Sequence, residues 1–310
     1  IQKIFIIVYH NLVVYDNFIL NINVSIINMY VINKQTDTNI LDAIIIGDSW
    51  VDTSYNTHDT WPTLLCKKNK WNYLNVSCKG TIIKDCIEQV NSTEWIIEKE
   101  GVKINEDTLF IIHSGGNDIL YNMYKNPFSL VFDFIQLPIS SYIGCNIFDH
   151  HFSYFGNITR NISQDMSSIL INIDKRYKPK RYFVSSLPVS YQLPICKYIT
   201  NMICPCYQNK ILQIISDKMN DYLLESLKPY SVLFFNEQSY FSHISWKYDL
   251  YHPTFEGHSI LSDKASECMQ HKTNKNNTPN ISKSELFFYY LSLSTFIYTS
   301  FIIVKYIKKN

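Results

Sequence analysis

The sequence predicts an α/β fold: a three-layer α/β/α sandwich with a central five-stranded parallel sheet. Three observations carry that reading. Between residues 41 and 270, short apolar runs alternate with longer helix-like stretches, the order produced by a parallel sheet covered on both faces. Two of the runs, AIII at 43–46 and FIIH at 110–113, are nearly continuous in apolar residues, as strands buried on both faces are. Both end in turn chemistry, Gly47-Asp48-Ser49 and Gly115-Gly116-Asn117-Asp118, at the carboxyl edge where open α/β sheets bind ligands.

In chain order the expected strands are 40–46, 73–77, 108–113, 181–185 and 231–235. The expected helices are 61–68, 85–99, 164–177 and 207–227, and a last helix, 255–270, follows a turn at Pro253. The aromatic, apolar stretch 127–156 breaks the alternation. It reads either as an insertion over the carboxyl edge of the sheet, of the kind that shapes substrate pockets, or as an ordinary core helix and strand. There is no internal repeat.

The ends fall outside this pattern. Residues 1–40 mix short apolar stretches with Asn and His; they read as a truncated signal or anchor, or as wrongly joined sequence with Met29 the true start. After the domain at 41–270 comes a polar, breaker-rich linker, 271–285. Residues 286–304 then run for 19 positions without a charge, long enough to cross a bilayer. The expected organisation is therefore a transmembrane helix at 286–305 and a short basic tail at 306–310, with a buried or interfacial helix as the alternative. Lysines flank both sides of the stretch, so the positive-inside rule does not fix its orientation.

The formal net charge of +1 gives no electrostatic case for a nucleic-acid partner. Eight cysteines suit disulfides in a secretory compartment. The group Cys196, Cys204 and Cys206 lacks the paired spacing and nearby histidines of a zinc site, and no metal or other cofactor is expected. Sequons at Asn23, Asn75, Asn91, Asn157, Asn161, Asn276 and Asn280 agree with a luminal or extracellular, membrane-associated glycoprotein.

Four stretches bear on chemistry. Ser49, at the tip of the strand 43–46, is either a turn residue capping the next helix or a nucleophile. Asn117 follows two glycines at the same sheet edge, where its amide can donate to the oxyanion of an acyl-transfer intermediate. Gly80 follows a strand and precedes a helix, so its N–H can point to the same place. In WKYDLYHPTFEGH, Asp249 and His252 stand three residues apart in a loop, a spacing that lets a carboxylate hold an imidazole as a general base. The loop acids Asp52 and Asp118 are expected to bond backbone N–H groups. His113 is expected to be a hydrogen-bonded core residue, and His258 a structural one.

Together these stretches resemble the four blocks of the SGNH (GDSL-type) hydrolases, in the family's order. Gly47-Asp48-Ser49 matches the nucleophile block, Gly80 the glycine block, Gly115-Gly116-Asn117-Asp118 the GxND block, and Asp249-Leu250-Tyr251-His252-Pro253 the DxxHP block. The resemblance spans about 41–270. It implies a flavodoxin-like sheet with Ser49 as nucleophile, His252 as general base and Asp249 as its orienter. The oxyanion hole it implies comprises the Ser49 and Gly80 N–H groups and the Asn117 amide. The implied activity is a serine esterase or lipase acting on an ester substrate, an acyl lipid or phospholipid, with an acylated carbohydrate or a catalytically silent, membrane-tethered interaction protein as alternatives. Trp50 stands where the family has leucine, a change bearing on packing or substrate fit. No GxSxG pentapeptide occurs, which argues against an α/β-hydrolase nucleophile elbow.

Overall fold

A computed structural model describes residues 30–125, 154–188, 208–247 and 251–270, together with the helical positions Ser284, Phe287, Tyr290, Leu291, Ser294 and Tyr298. In chain order the elements are β1 (Val31–Asn33), β2 (Ala43–Gly47), α1 (Thr53–Asn56), α2 (Trp61–Lys68), β3 (Tyr73–Asn75), α3 (Cys86–Glu100) and β4 (Leu109–His113). They continue with α4 (Gly116–Lys125), α5 (Tyr154–Tyr177), β5 (Tyr182–Ser185), α6 (Gln208–Leu227), β6 (Val232–Phe235) and α7 (Phe255–Gln270).

The strands form one sheet in the order β1-β3-β2-β4-β5-β6. The last five are mutually parallel, with Ala43 opposite both Tyr73 and Leu109 and Gly47 opposite His113. Every residue of β2, β4 and β5 is buried, which is why these segments read as unbroken apolar runs rather than alternating ones. From β2 the chain steps one way to β3, then back past β2 to β4 and onward. Right-handed crossovers taken in opposite directions put their helices on opposite faces. Accordingly α2 packs with α7, while α5 packs with both α3 and α6. The reversal opens a crevice between the carboxyl ends of β2 and β4, and Ser49 lies there.

Three features depart from the sequence reading. The sheet has a sixth strand: β1 pairs antiparallel with β3, within a segment that reads as lying outside the fold. Three residues are too few to carry a period, and β1 is held by tertiary contacts instead. The side chain of buried Asn72 accepts from the backbone N–H groups of Gln35 (2.6 Å) and Thr36 (2.9 Å), and donates to the carbonyls of Thr38 (3.0 Å) and Ile40 (3.1 Å). Helix α5 begins at Tyr154 rather than 164. Its apolar stripe of Phe155, Ile158, Ile162, Met166, Ile169 and Ile173 continues behind an exposed face carrying Asn157 and Asn161. Finally, Gly116-Asn117-Asp118 is the first turn of a helix, α4.

Most of the stretch 127–156 lies outside the described residues; Tyr154–Gly156 open α5. No helix of the described residues is long and apolar enough to cross a membrane, and of the stretch 286–304 only Phe287, Tyr290, Leu291, Ser294 and Tyr298 are described. Cys66, Cys78, Cys86 and Cys268 are free thiols; the other four cysteines fall outside the described residues. Burial pushes the Cys66 and Cys86 thiols far up, so both are unreactive in the folded chain. Among the sequons, Asn75 is buried and donates to the Val51 carbonyl at 2.8 Å, which withdraws it from modification of the folded protein. Asn157 and Asn161 are exposed.

Replacing Asn72 by alanine is expected to cost about 1–3 kcal/mol, the penalty for stranding buried hydrogen-bonding groups. Urea denaturation checks this, and a value below about 0.5 kcal/mol would show that the segment preceding β2 is not anchored by this side chain.

Candidate active site

The site is built outward from the end of β2. At Gly47 a Cβ would lie 2.1 Å from the His113 carbonyl oxygen and 2.7 Å from Val51 Cγ2, so β2 and β4 can close together here only over a glycine. The peptide groups of Gly47 are taken by side chains and loops rather than by strand partners alone. Its N–H donates to Gln89 Oε1 (2.8 Å), and its carbonyl accepts from Gln89 Nε2 (2.8 Å), Cys78 N–H (3.0 Å) and the Thr81 hydroxyl (3.1 Å). The loop carrying Gly80 is thereby hung on the residue two before Ser49.

Past Gly47 the chain turns sharply. Asp48 Oδ1 accepts from Trp50 N–H (3.0 Å), and the Ser49 carbonyl accepts from Asn56 Nδ2 (2.6 Å). Asp52 caps α1: its Oδ1 accepts from the N–H groups of Ser54 (2.8 Å) and Tyr55 (3.2 Å). Its second oxygen accepts from Lys79 N–H (2.9 Å), tying α1 to the glycine loop. This is the backbone-bonding part expected of Asp52, and Asp118 plays it as well, accepting from Ile83 N–H at 2.9 Å.

His252 arrives from the other end of the domain. The loop before it is closed by an antiparallel bridge between Trp246 and Pro253 and by a 2.8 Å bond from Lys247 N–H to the His252 carbonyl. The closure brings His252 Nε2 to 2.8 Å from Ser49 Oγ, across 203 residues of sequence, with both residues buried. A hydroxyl and an imidazole at this distance can exchange a proton. Gly80 has φ +76°, a left-handed conformation open to glycine. Asn117 Nδ2 donates to the Thr81 carbonyl at 2.8 Å; an amide carries two N–H donors, so the bond orients the group and leaves one. Ser49, His252, Gly80 and Asn117 thus belong to one connected constellation, whereas Asp249 lies outside the described residues.

Beneath Ser49 lies a fully buried cluster. His113 Nε2 donates to Glu237 Oε1 at 2.8 Å, its Nδ1 stands 3.4 Å from Asp48 Oδ1, and the ring stacks on Trp50 at 5.2 Å between centroids. Trp50 also meets Phe241, Trp246 and Tyr251, so the departure from leucine at this position is a matter of packing. Burial alone pushes the His113 imidazole down, but the Glu237 and Asp48 carboxylates outweigh it and raise its pKa to about 10. His258 behaves oppositely: burial, together with the nearby His58 and Lys247 side chains, holds it well below its usual value, and its Nδ1 accepts from Trp61 N–H at 3.3 Å. Among the described residues no group of His, Cys, Asp and Glu side chains is arranged to hold a metal ion.

Sequence reasoning missed the polar residues that hold this geometry. Gln89 sits in the first turn of α3 and Asn56 at the end of a one-turn helix, with no local signal to separate them from surface residues. Glu237 follows a strand as any loop acid does.

No protein-family model matches the chain, and no curated protein matches its sequence significantly. Among solved structures it is similar to a candidate lipolytic protein of the G-D-S-L family from Desulfitobacterium hafniense DCB-2, at 14% identity and a TM-score of 0.39, over 73% of this chain and 98% of that one. It is likewise similar to a candidate GDSL-like lipase from Parabacteroides merdae ATCC 43184, at 13% identity and a TM-score of 0.45, over 77% and 98%.

Two outcomes follow from the geometry. Gly47→Ala is expected to destabilise the fold by about 4 kcal/mol or more, since the added methyl meets backbone on one side and Val51 on the other; thermal denaturation within a few degrees of wild type would contradict the close approach. An unfolded histidine gives up its proton near pH 6.5, while folded His113 keeps one to about pH 10. Folding therefore takes up a proton between these values, and the His113 contribution to stability is complete below the window and lost as pH rises through it. Denaturation midpoints measured at pH 7 and pH 9.5 should show this fall in wild type, and less of it in His113→Gln.

Proposed function

We propose that the protein is a serine ester hydrolase of the GDSL type that works on carboxylic esters through an acyl-enzyme. The observation that carries this reading is the 2.8 Å approach of Ser49 Oγ to His252 Nε2 at the carboxyl edge of the sheet. Ser49 Oγ attacks the ester carbonyl as His252 Nε2 takes its proton. The oxyanion of the tetrahedral intermediate accepts from the Ser49 and Gly80 N–H groups and from the Asn117 amide. The imidazolium then gives its proton to the leaving alcohol, and a water deprotonated by His252 releases the acyl group. Asp249 has the role of holding the imidazole from its other nitrogen. Fixing Asn117 on the Thr81 carbonyl and Gly80 through the loop bonds to Gly47 supports this assignment, because donors set before the reaction need no reorganisation during it.

Hydrolysis of p-nitrophenyl esters from C2 to C16 by the full chain tests the proposal. Ser49→Ala should lose all activity above the uncatalysed background, and Asn117→Ala should lose on the order of 10²–10³ in kcat. A Ser49→Ala protein as active as wild type would overturn it. Preference for long chains would identify an acyl lipid as the substrate class, and restriction to C2 an acetylated carbohydrate. A folded wild type that neither turns over any ester nor labels with a fluorophosphonate would identify a fold kept for binding.

A further inference from the structure

Contacts around Ser49 and His252 close into a circuit, of which the proposed reaction uses a single link. That link is the 2.8 Å approach of Ser49 Oγ to His252 Nε2. The remaining links run the other way round. The His252 carbonyl accepts from Lys247 N–H at 2.8 Å, and the Lys247 ammonium donates to Asn56 Oδ1 at 2.8 Å. Asn56 Nδ2 in turn donates to the Ser49 carbonyl at 2.6 Å. Asn56 is buried at the end of α1, and its Nδ2 also donates to the Asp52 carbonyl at 2.9 Å. Both ends of its amide are therefore in use, the oxygen towards the loop of the base and the nitrogen towards the turn of the nucleophile. Helix α1 meets the base again through Tyr55, whose ring centroid lies 5.1 Å from that of His252.

The two routes between nucleophile and base differ in what the reaction does to them. The Ser49 hydroxyl can hold the imidazole only while it has a proton to donate. Once Oγ is esterified that bond is gone, at the stage where His252 must take a proton from water. The route through Lys247 and Asn56 is made of main-chain carbonyls and side chains that acylation leaves unchanged.

We propose that Lys247 and Asn56 form a strap that keeps His252 in place through the acyl-enzyme stage, which makes Lys247 a positioning residue for deacylation. This role rests on the esterase reading. In the step concerned, a water oxygen bonds to the acyl carbon as Nε2 takes one of its protons. Collapse of the tetrahedral intermediate breaks the bond from that carbon to Oγ, and the imidazolium returns the proton to Oγ. Misplacing a reacting group by about 1 Å can cost on the order of 10² in rate. Cutting one of several supports of His252 is expected to cost about ten-fold.

The test uses the full chain and whichever p-nitrophenyl ester it turns over fastest. p-Nitrophenolate leaves readily, so release of the acyl group limits turnover. Lys247 is half-buried, and Lys247→Met cuts the strap while leaving its main-chain bond to His252 and the Asn56 bond to Ser49. It should lower kcat about ten-fold and KM in proportion, so that kcat/KM changes by less than about two-fold. Intact mass after acid quench should show Ser49 carrying the acyl group at steady state. Lys247→Arg, which keeps a donor, should recover most of the loss. Lys247→Met added to Asn56→Ala should slow deacylation no further, since the two residues act as one link. Equal falls in kcat and kcat/KM, or additive effects of the two substitutions, would overturn the strap in a protein that remains an esterase. A wild type that hydrolyses no ester and takes no fluorophosphonate label would overturn the esterase reading and this role with it, so the wild type alone tells the two failures apart.

Discussion

The peptide unit of Gly47 is the point on which the rest of the site hangs. A parallel sheet whose connections reverse direction must splay at its carboxyl edge, and the chain leaving β2 has to cross that gap while β4 is still pressed against it. Absence of a side chain permits the contact with the His113 carbonyl, and Gln89 supplies the hydrogen bonds the strand ladder no longer provides. With both in place, Cys78 and Thr81 have a fixed acceptor to bind, and Asn117 a fixed carbonyl to donate to. A serine, a glycine loop and an amide drawn from three separate crossovers are thus referred to one backbone position.

The buried charges beneath the site serve the same end by a costlier route. An imidazolium with two carboxylates in a fully buried setting is stabilising only if its partners stay close and correctly aimed. Here Glu237 comes from the segment after β6, and Asp48 from the turn after β2. The pairing ties the far edge of the sheet to the residue next to Ser49, and the stacked Trp50 closes the space above it. Polar contacts of this kind specify one arrangement where an apolar cluster would tolerate several.

Legibility in the sequence follows this division. The central strands could be read because burial on both faces writes itself as consecutive β-branched residues, and the helices because their stripes repeat every three or four positions. The placement of Ser49 and Asn117 could be read because glycine punctuates the chain where β2 and β4 end, and that of His252 because Pro253 follows it just before α7. What could not be read is long-range satisfaction. Asn72 anchors the loop between β1 and β2, 32 to 37 positions upstream, and nothing beside it in the chain distinguishes it from the many other asparagines. The first turns of α5 were hidden for a related reason: Asn157, Arg160 and Asn161 are polar neighbours in sequence but share an outer face in space. A turn signature such as Gly-Gly-Asn-Asp also fits a helix start, and only packing decides between them.

Asp52 carries a consequence of a different kind. One of its oxygens closes the first turn of α1, and the other grips the backbone beside Gly80, so a single short carboxylate spans two loops. Asparagine would offer an amide donor where one of those N–H groups needs an acceptor, and glutamate would carry the charge a methylene too far to cap the turn. Serine would keep the cap and release the loop. The position therefore has no chemical neighbour that does both jobs, and variation can enter this edge of the site only by changing the two loops together.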